Sequence, residues 1–410
     1  MNIKTLVVLS IGLAILPAAC SANDAGHDTA IPSGEYLKTV ASREKSAAHS
    51  DREAASSRSG QTAAGSVVTA EDCSFNAVQT AVRSSTAGMT VRIPAGTCSW
   101  GAQQLDIDGG IHLRGAGKNA TIIRRIGRTP EAARLIKFDC SNGKRAVFSD
   151  MTLMGNGMTT AWESGLGLYK CVDFKVFNSK FTGFTFAAVF VEGSNAQRGV
   201  IYHNEFIDNY SPLIKNVGYG VKVDGDDTWT PLELGTQNAV FVEDNYFSGN
   251  RHNISSLAAA KYVFRYNKVV ATDLVKDYAM VDAHGKASGR RGSRSWEIYN
   301  NLYSANLTRG TERTAIGIRG GDGVAFNNTM VGNIGRPIEL WAEGFACGTY
   351  PGPDQIRSAY FWHNTTRGVY AEANGISNTC TDSIKLGRDY FTTRKPGYRP
   401  FIYPHPLRGM

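Results

Sequence analysis

Three ionisable residues each stand immediately before a glycine, in Asp282-Ala283-His284-Gly285, Gly317-Ile318-Arg319-Gly320 and Trp341-Ala342-Glu343-Gly344. If successive strands of a parallel sheet lie one above another, about 4.8 Å apart, these phrases set His284, Arg319 and Glu343 in one column. A buried unpaired charge is costly, so three unlike ionisable groups are expected on an outer face rather than in a packed interior. The glycine behind each lets the chain turn sharply and leaves room for a ligand. Lys286, Arg290, Arg291 and Arg294 follow in one short loop, and Arg251-His252 lies one turn earlier. Together they outline a basic cleft. A nucleic-acid surface would interleave exposed aromatics for base stacking, and residues 286–294 contain none, so no nucleic-acid partner is expected. An acidic polysaccharide fits better.

The chemistry such a cleft could perform is β-elimination on a uronate. The sugar carboxylate must be neutralised, the neighbouring proton removed, and the leaving oxygen protonated. Arg319 suits the first task, because a guanidinium grips a carboxylate bidentately and stays charged. His284, which titrates near neutrality, suits the second. Lys286 is the reserve base, on condition that desolvation lowers its pKa. His252, or a tyrosine, could donate the final proton. Arg251, Arg290, Arg291, Arg294 and Glu343 are expected to contact substrate. Two other readings stay open. Asp226, Asp227 and Asp282 could supply the paired carboxylates of a glycoside hydrolase, and the same groove without turnover would make a glycan-binding or adhesive protein.

The run Asp224-Gly225-Asp226-Asp227, after Lys222, could present oxygens to Ca²⁺. It is also what a polar turn looks like, and the turn is favoured. The chain has no His-Glu-x-x-His, no Gly-x-Ser-x-Gly and no phosphate-binding loop.

The elements that must position these residues come from a repeat. A short β-rich run, then Asn or Asp, one residue, and an apolar or Thr residue recurs at Asp150, Asn178, Asn204, Asn245, Asn267, Asn301, Asn328 and Asn364. The gaps are 28, 26, 41, 22, 34, 27 and 36 residues. The smallest fits one turn of a β-solenoid, and the larger ones fit a turn carrying an inserted loop. Asn suits a fixed bend, since it tolerates left-handed geometry and its amide can bond to the Asn one rung away. An all-β parallel β-helix is therefore expected, one chain wide. Residues 76–84 place Ala77, Val78, Ala81 and Val82 on one helical face, which predicts a short N-terminal helical cap.

The opening phrases IPAGTCSW and GIHLRGAGKNATII resemble the first turns of bacterial pectate-lyase-like proteins, members of the pectin-lyase superfamily. The later phrases RHNISSLAAAKYVFRYN, MVDAHGKASG, WEIYNN, GIRGGDGVAFNN and PGYRPFIYPHPL are similar to one secreted branch of them. The resemblance covers residues 67–410 and implies a right-handed coil. It leaves activity open, because that superfamily includes lyases, hydrolases, epimerases, esterases and binding proteins. It also implies Ca²⁺ as a common helper and a Lys or Arg base, from which His284 departs. His284-Gly285 and Ile318-Arg319 resemble polygalacturonase-type motifs, with looser spacing.

The 410 residues are 42% hydrophobic and 20% charged, with a net charge of +8, which favours an anionic partner. Residues 1–20 read as a bacterial signal peptide, and Leu16-Pro17-Ala18-Ala19-Cys20 as a lipobox that makes Cys20 a lipidated N-terminus. Residues 21–65 hold scarcely any large apolar side chain and read as a flexible tether, leaving 66–410 for the β-helix. An outer-membrane lipoprotein, or a periplasmic or extracellular protein, is expected as a monomer that meets the membrane through its lipid alone. Six further cysteines permit fifteen connectivities. Proximity favours Cys73–Cys98, Cys140–Cys171 and Cys347–Cys380. The terminal Tyr403-Pro404-His405-Pro406 cannot join a central strand and is expected along the flank of the coil or capping it.

Overall fold

The computed structural model describes residues 65–410, apart from 128–129, 158, 215, 274–278, 309–312, 367 and 372–374. The expected signal peptide, lipidated Cys20 and tether fall on residues up to Ala64, which lie outside the described residues. From Val67 onward the strands sort into three sheets of twelve, ten and eleven. In the twelve-stranded sheet Val172–Phe177 pairs with Arg198–Tyr202, which pairs with Val240–Glu243, then Lys261–Arg265 and Ser295–Tyr299, always in parallel. Each strand's neighbour is thus one full turn of chain away. The result is a right-handed parallel β-helix, the hand that crossovers between parallel strands adopt. At its start the helix Phe75–Arg83 is capped by Ser74 Oγ, which accepts from Ala77 N, and buries Val78 and Ala81.

Alternation along each strand sends one set of side chains inward, where like stacks on like. Phe148, Phe181, Phe206, Phe247 and Phe264 form a file with ring centroids 5.8, 5.2, 4.6 and 5.4 Å apart. Each such buried ring stabilises the coil by roughly 1.5–3 kcal/mol. Beside this file runs the expected amide ladder. Asn204, Asn245, Asn267, Asn301, Asn328 and Asn364 are buried, each Nδ2 donating to the next Oδ1 at 2.8–3.1 Å.

The bend itself falls one residue earlier than the repeat implied. His203, Asp244, Tyr266, Asn300, Asn327 and His363 carry the left-handed φ values, 52–56°. Asp150 (φ 61°) and Asn178 (φ 50°) belong to that column, because Thr152 pairs with Lys180 and Lys180 with Glu205. Met151 and Ser179 therefore take the inward position in those two turns, and the ladder begins at Asn204.

The three disulfides join Cys73 to Cys98, Cys140 to Cys171 and Cys347 to Cys380. From Tyr398 the chain lies along the outer face of the twelve-stranded sheet. There Arg265, buried and paired with Glu243, donates to the carbonyls of Phe401 and Ile402, while Glu243 accepts from His405 N. Among the described residues no helix is long and apolar enough to cross a membrane.

Candidate active site

Val281 and Ala283 point into the core, so Asp282 between them faces out from the ten-stranded sheet. Its strand pairs Asp282 with Ser255 on one side and Gly317 on the other. Two residues further along the chain, His284 and Arg319 fall in register, as expected. Glu343 does not. Ile318 pairs with Leu340, which puts Trp341 in the row, its ring 5.7 Å from the Arg319 guanidinium. Glu343 comes from the turn after the strand Ile334–Leu340 and reaches back to the same place. The glycines serve the coil rather than a ligand. A Cβ on Gly285 would lie 2.7 Å from Arg319 O and 2.8 Å from Glu343 Cβ, and one on Gly320 would lie 2.7 Å from Gly285 Cα.

The centre of the cluster is Asp282, whose side chain has no exposure. Its oxygens accept from Arg319 Nε (2.9 Å), Arg319 Nη2 (2.7 Å) and Ser255 Oγ (2.8 Å). Burial pushes this carboxyl up, but Arg319, then His284 and His252, outweigh it and hold Asp282 well below the usual carboxylate range. Burial works against the Arg319 charge as well, and Asp282 and Glu343 more than restore it. His284, 14% exposed, sits between the two carboxylates, with Nε2 3.1 Å from Asp282 Oδ2 and Nδ1 3.1 Å from Glu343 Oε2. Arg319 Nη2 also lies 2.7 Å from His284 Nε2. A guanidinium is a donor without acceptor capacity, so a hydrogen bond at this contact requires the tautomer with the imidazole proton on Nδ1, facing Glu343. Glu343 completes the ring by accepting from Arg319 Nη1 (2.5 Å) and Gly285 N (2.9 Å).

The other expected residues are more scattered. His252 is buried, its Nδ1 on Ala279 O and its Nε2 4.0 Å from Asp282, and burial together with Arg251 holds it well below its ordinary pKa. It stands behind the cluster as a neutral imidazole. Arg251 is buried against Tyr219, donating to its hydroxyl at 3.3 Å. The basic loop is less basic than its composition. Arg290 pairs with Asp227, Arg291 with Asp354 and Arg294 with Asp322, and the last two stack on Trp229. Lys286 is exposed, which takes away the desolvation that a lysine base requires. It lines a cleft of about 550 Å³ with Asp227, Gly289, Arg291, Pro353 and Asp354.

The aspartate run is a turn. Asp224 pairs with Lys222, Asp226 accepts from Thr228 N, and Asp227, at φ 67°, holds Arg290. Its three carboxylates thus have separate partners, and among the described residues no three His, Cys, Asp or Glu side chains group to hold a metal. Sequence reasoning gave Asp282 too small a part and passed over Ser255, Tyr219, Trp229 and Trp341. The apolar-Asp-apolar alternation of 281–283 was the available signal for Asp282; the others have none.

No family model and no curated protein matches this sequence. The three parallel sheets make the fold a parallel β-helix, and the solved structures similar to it share that architecture. Similar solved structures include ORF18 of Geobacillus virus E2, at 12% identity over 73% of this chain and 58% of that one, with a TM-score of 0.45. The family 28 exopolygalacturonase of Yersinia enterocolitica matches at 13% over 83% and 68%, with a TM-score of 0.45. An alginate lyase from Paenibacillus matches at 12% over 73% and 99%, with a TM-score of 0.37. The chain spans little more than half of the viral protein, and likenesses at this level carry no argument about chemistry.

Proposed function

We propose that the protein cleaves an acidic, uronate-containing polysaccharide by β-elimination, with His284 as the base. The observation supporting this is the carboxylate–histidine dyad, in which Glu343 holds the Nδ1 side of His284 at 3.1 Å. Such a partner fixes tautomer and ring orientation and leaves Nε2 to exchange protons. In the resting arrangement Arg319 Nη2 covers Nε2. A substrate carboxylate arriving at Arg319 competes for that N–H. The same contact then neutralises the uronate and frees the base beside it. The proton taken up by Nε2 comes to lie next to Asp282 Oδ2, 3.1 Å away, which stabilises the imidazolium until it returns that proton to the leaving oxygen as the glycosidic C–O bond breaks. Exposed Lys286 supplies a further positive charge two residues from the base.

A paired-carboxylate hydrolase has less support, since Asp282 is buried under Arg319 while Asp226 and Asp227 are engaged in their turn. The proposal places the β-helix outside the cytoplasm on a lipidated Cys20 and its tether, a setting in which three disulfides persist. The test is to incubate the purified protein with a panel of uronate polysaccharides and follow the absorbance of the unsaturated uronyl product. A rise that falls about 10²–10⁴-fold in His284→Gln, with polymer binding kept, is expected. New reducing ends without absorbance would replace the lyase with a hydrolase, and binding without either product would make the protein a glycan binder.

A further inference from the structure

Trp162 presents a large apolar ring to solvent, 46% exposed, two residues before the strand Ser164–Tyr169 of the sheet that carries the candidate site. The chain around it is fixed. On one side Ala161 O accepts from Thr185 Oγ1 (2.6 Å). On the other, Glu163 is wholly buried, paired with Arg125 at 2.6 Å, and its N–H donates to Thr185 Oγ1. Trp162 N itself donates to Glu131 Oε1 (3.2 Å). A ring held this firmly and still left open is a prepared surface, because its exposure is not the result of slack in the backbone.

That ring is linked to the cluster by a file of rings whose far end is buried, Tyr219 being 5% and His252 3% exposed. The pairings Ser164 to Ala187, Ala187 to Tyr219 and Tyr219 to His252 put Trp162, Phe186, Tyr219 and His252 on four consecutive rungs along one edge of the sheet. Their rings touch in sequence. Trp162 stacks on Phe186 with centroids 5.3 Å apart and planes 5° from parallel, Phe186 meets Tyr219 edge-on at 5.6 Å, and Tyr219 stacks on His252 at 5.8 Å. Three rungs of about 4.8 Å separate the open end from His252, a reach of about 14 Å along the coil axis. Of the cations beside the file, Arg134 lies 5.3 Å from the ring of Phe190, itself in contact with Phe186, and is paired with Glu192, while Arg251 lies buried 5.7 Å from the ring of Tyr219. The open flat face of Trp162, on the sheet that carries the cluster, suits the apolar C–H face of a sugar unit.

We infer that Trp162, backed by Phe186, is a stacking platform for a distant sugar of the bound polysaccharide, several units from the bond that is broken. The inference rests on the reading that an acidic polysaccharide occupies the cluster, and it adds a direction: the chain runs along the coil axis toward the N-terminal turns. The platform acts on long chains and is out of reach of short ones.

The test is a length series. Uronate oligosaccharides from disaccharide to octasaccharide are titrated calorimetrically into His284→Gln protein, which retains its ligand uncut, with and without Trp162→Ala or Trp162→Phe. Loss of one stacked ring predicts an octasaccharide Kd raised about three- to tenfold by Trp162→Ala, an unchanged disaccharide Kd, and recovery in Trp162→Phe. Equal losses at every length, or no loss at any, would overturn the platform while leaving the proposed function standing. If the parent protein binds no uronate oligosaccharide of any length, the proposed function fails, and the platform with it. Unchanged thermal midpoints in the variants separate these outcomes from misfolding.

Discussion

Replacing Arg319 by Met removes the guanidinium while keeping most of its volume, and the cost can be worked from what remains. Asp282 loses two charge-assisted hydrogen bonds, at 2.9 and 2.7 Å, in a site with no solvent access. Breaking a buried pair by removing one partner costs about 3–5 kcal/mol. Ser255 and His284 still face the carboxylate, which sets the expectation at the lower end, about 3 kcal/mol near neutral pH. The pH dependence carries the sharper test. In the native protein Asp282 is held well below its ordinary 3.8, so its contribution is present above that value and is lost as pH falls through the folded pKa. In Arg319→Met burial is left with less to oppose it, the folded pKa rises, and stability is lost as pH rises. The gap between the two proteins therefore widens from about pH 4.5 to about pH 8. Urea denaturation followed by circular dichroism at both pH values measures it, and Asp282→Asn in the Arg319→Met background should recover most of the loss. A gap below about 1 kcal/mol at the higher pH, or one that does not change with pH, would refute the reasoning.

Burial pushes Glu297 up to about 6 despite hydrogen bonds from Tyr398 Oη and Gly235 N. With an unfolded value of 4.5, its stabilisation is full below that pH, and about 2 kcal/mol is lost as pH rises through 6. Glu297→Gln should flatten that part of the stability profile in denaturant titrations. Asn267→Ala strands the carbonyl of Val242 and the amide of Asn245 in the interior, at roughly 3 kcal/mol. Asn300→Ala, at a left-handed position, should cost roughly 1 kcal/mol, and the reverse order would contradict the division between ladder and bend. Glu343→Gln should lower kcat roughly 10²-fold with little change in KM, and undiminished turnover would remove the dyad from the mechanism.

The coil was legible because its period is written locally, in a phrase each turn repeats and in ring-on-ring stacking of like residues. Register was legible to within one residue, since the phrase marks both the left-handed bend and the inward amide that follows it. At Asp150 and Asn178 the two cannot be told apart without the pairing of Lys180 with Glu205. The slip at Glu343 has another origin. The strand Ile334–Leu340 ends at the row, and the three residues after it double back, so that a shared glycine pattern masked a different register. The pairing of Arg291 with Asp354, 63 residues apart, joins two loops that no local pattern relates, and the same holds for Arg290 with Asp227.

Those loop pairings change how a positive protein would meet a polyanion. Arg290, Arg291 and Arg294 already hold Asp227, Asp354 and Asp322, so this stretch adds one uncancelled charge, at Lys286, rather than four. Arg319 is likewise balanced by Asp282 and Glu343. Paired charges project little field beyond a Debye length of about 8 Å, so the site itself does not draw in a substrate from a distance. What it offers is exchange at contact, in which a carboxylate must compete for the guanidinium N–H that already faces His284 Nε2. Exchange rewards a ligand that places its carboxylate in register with the rungs and gives little to a diffuse anion of the same charge. On the proposed function, a site built this way would discriminate by geometry, with the strand spacing of the coil as its ruler.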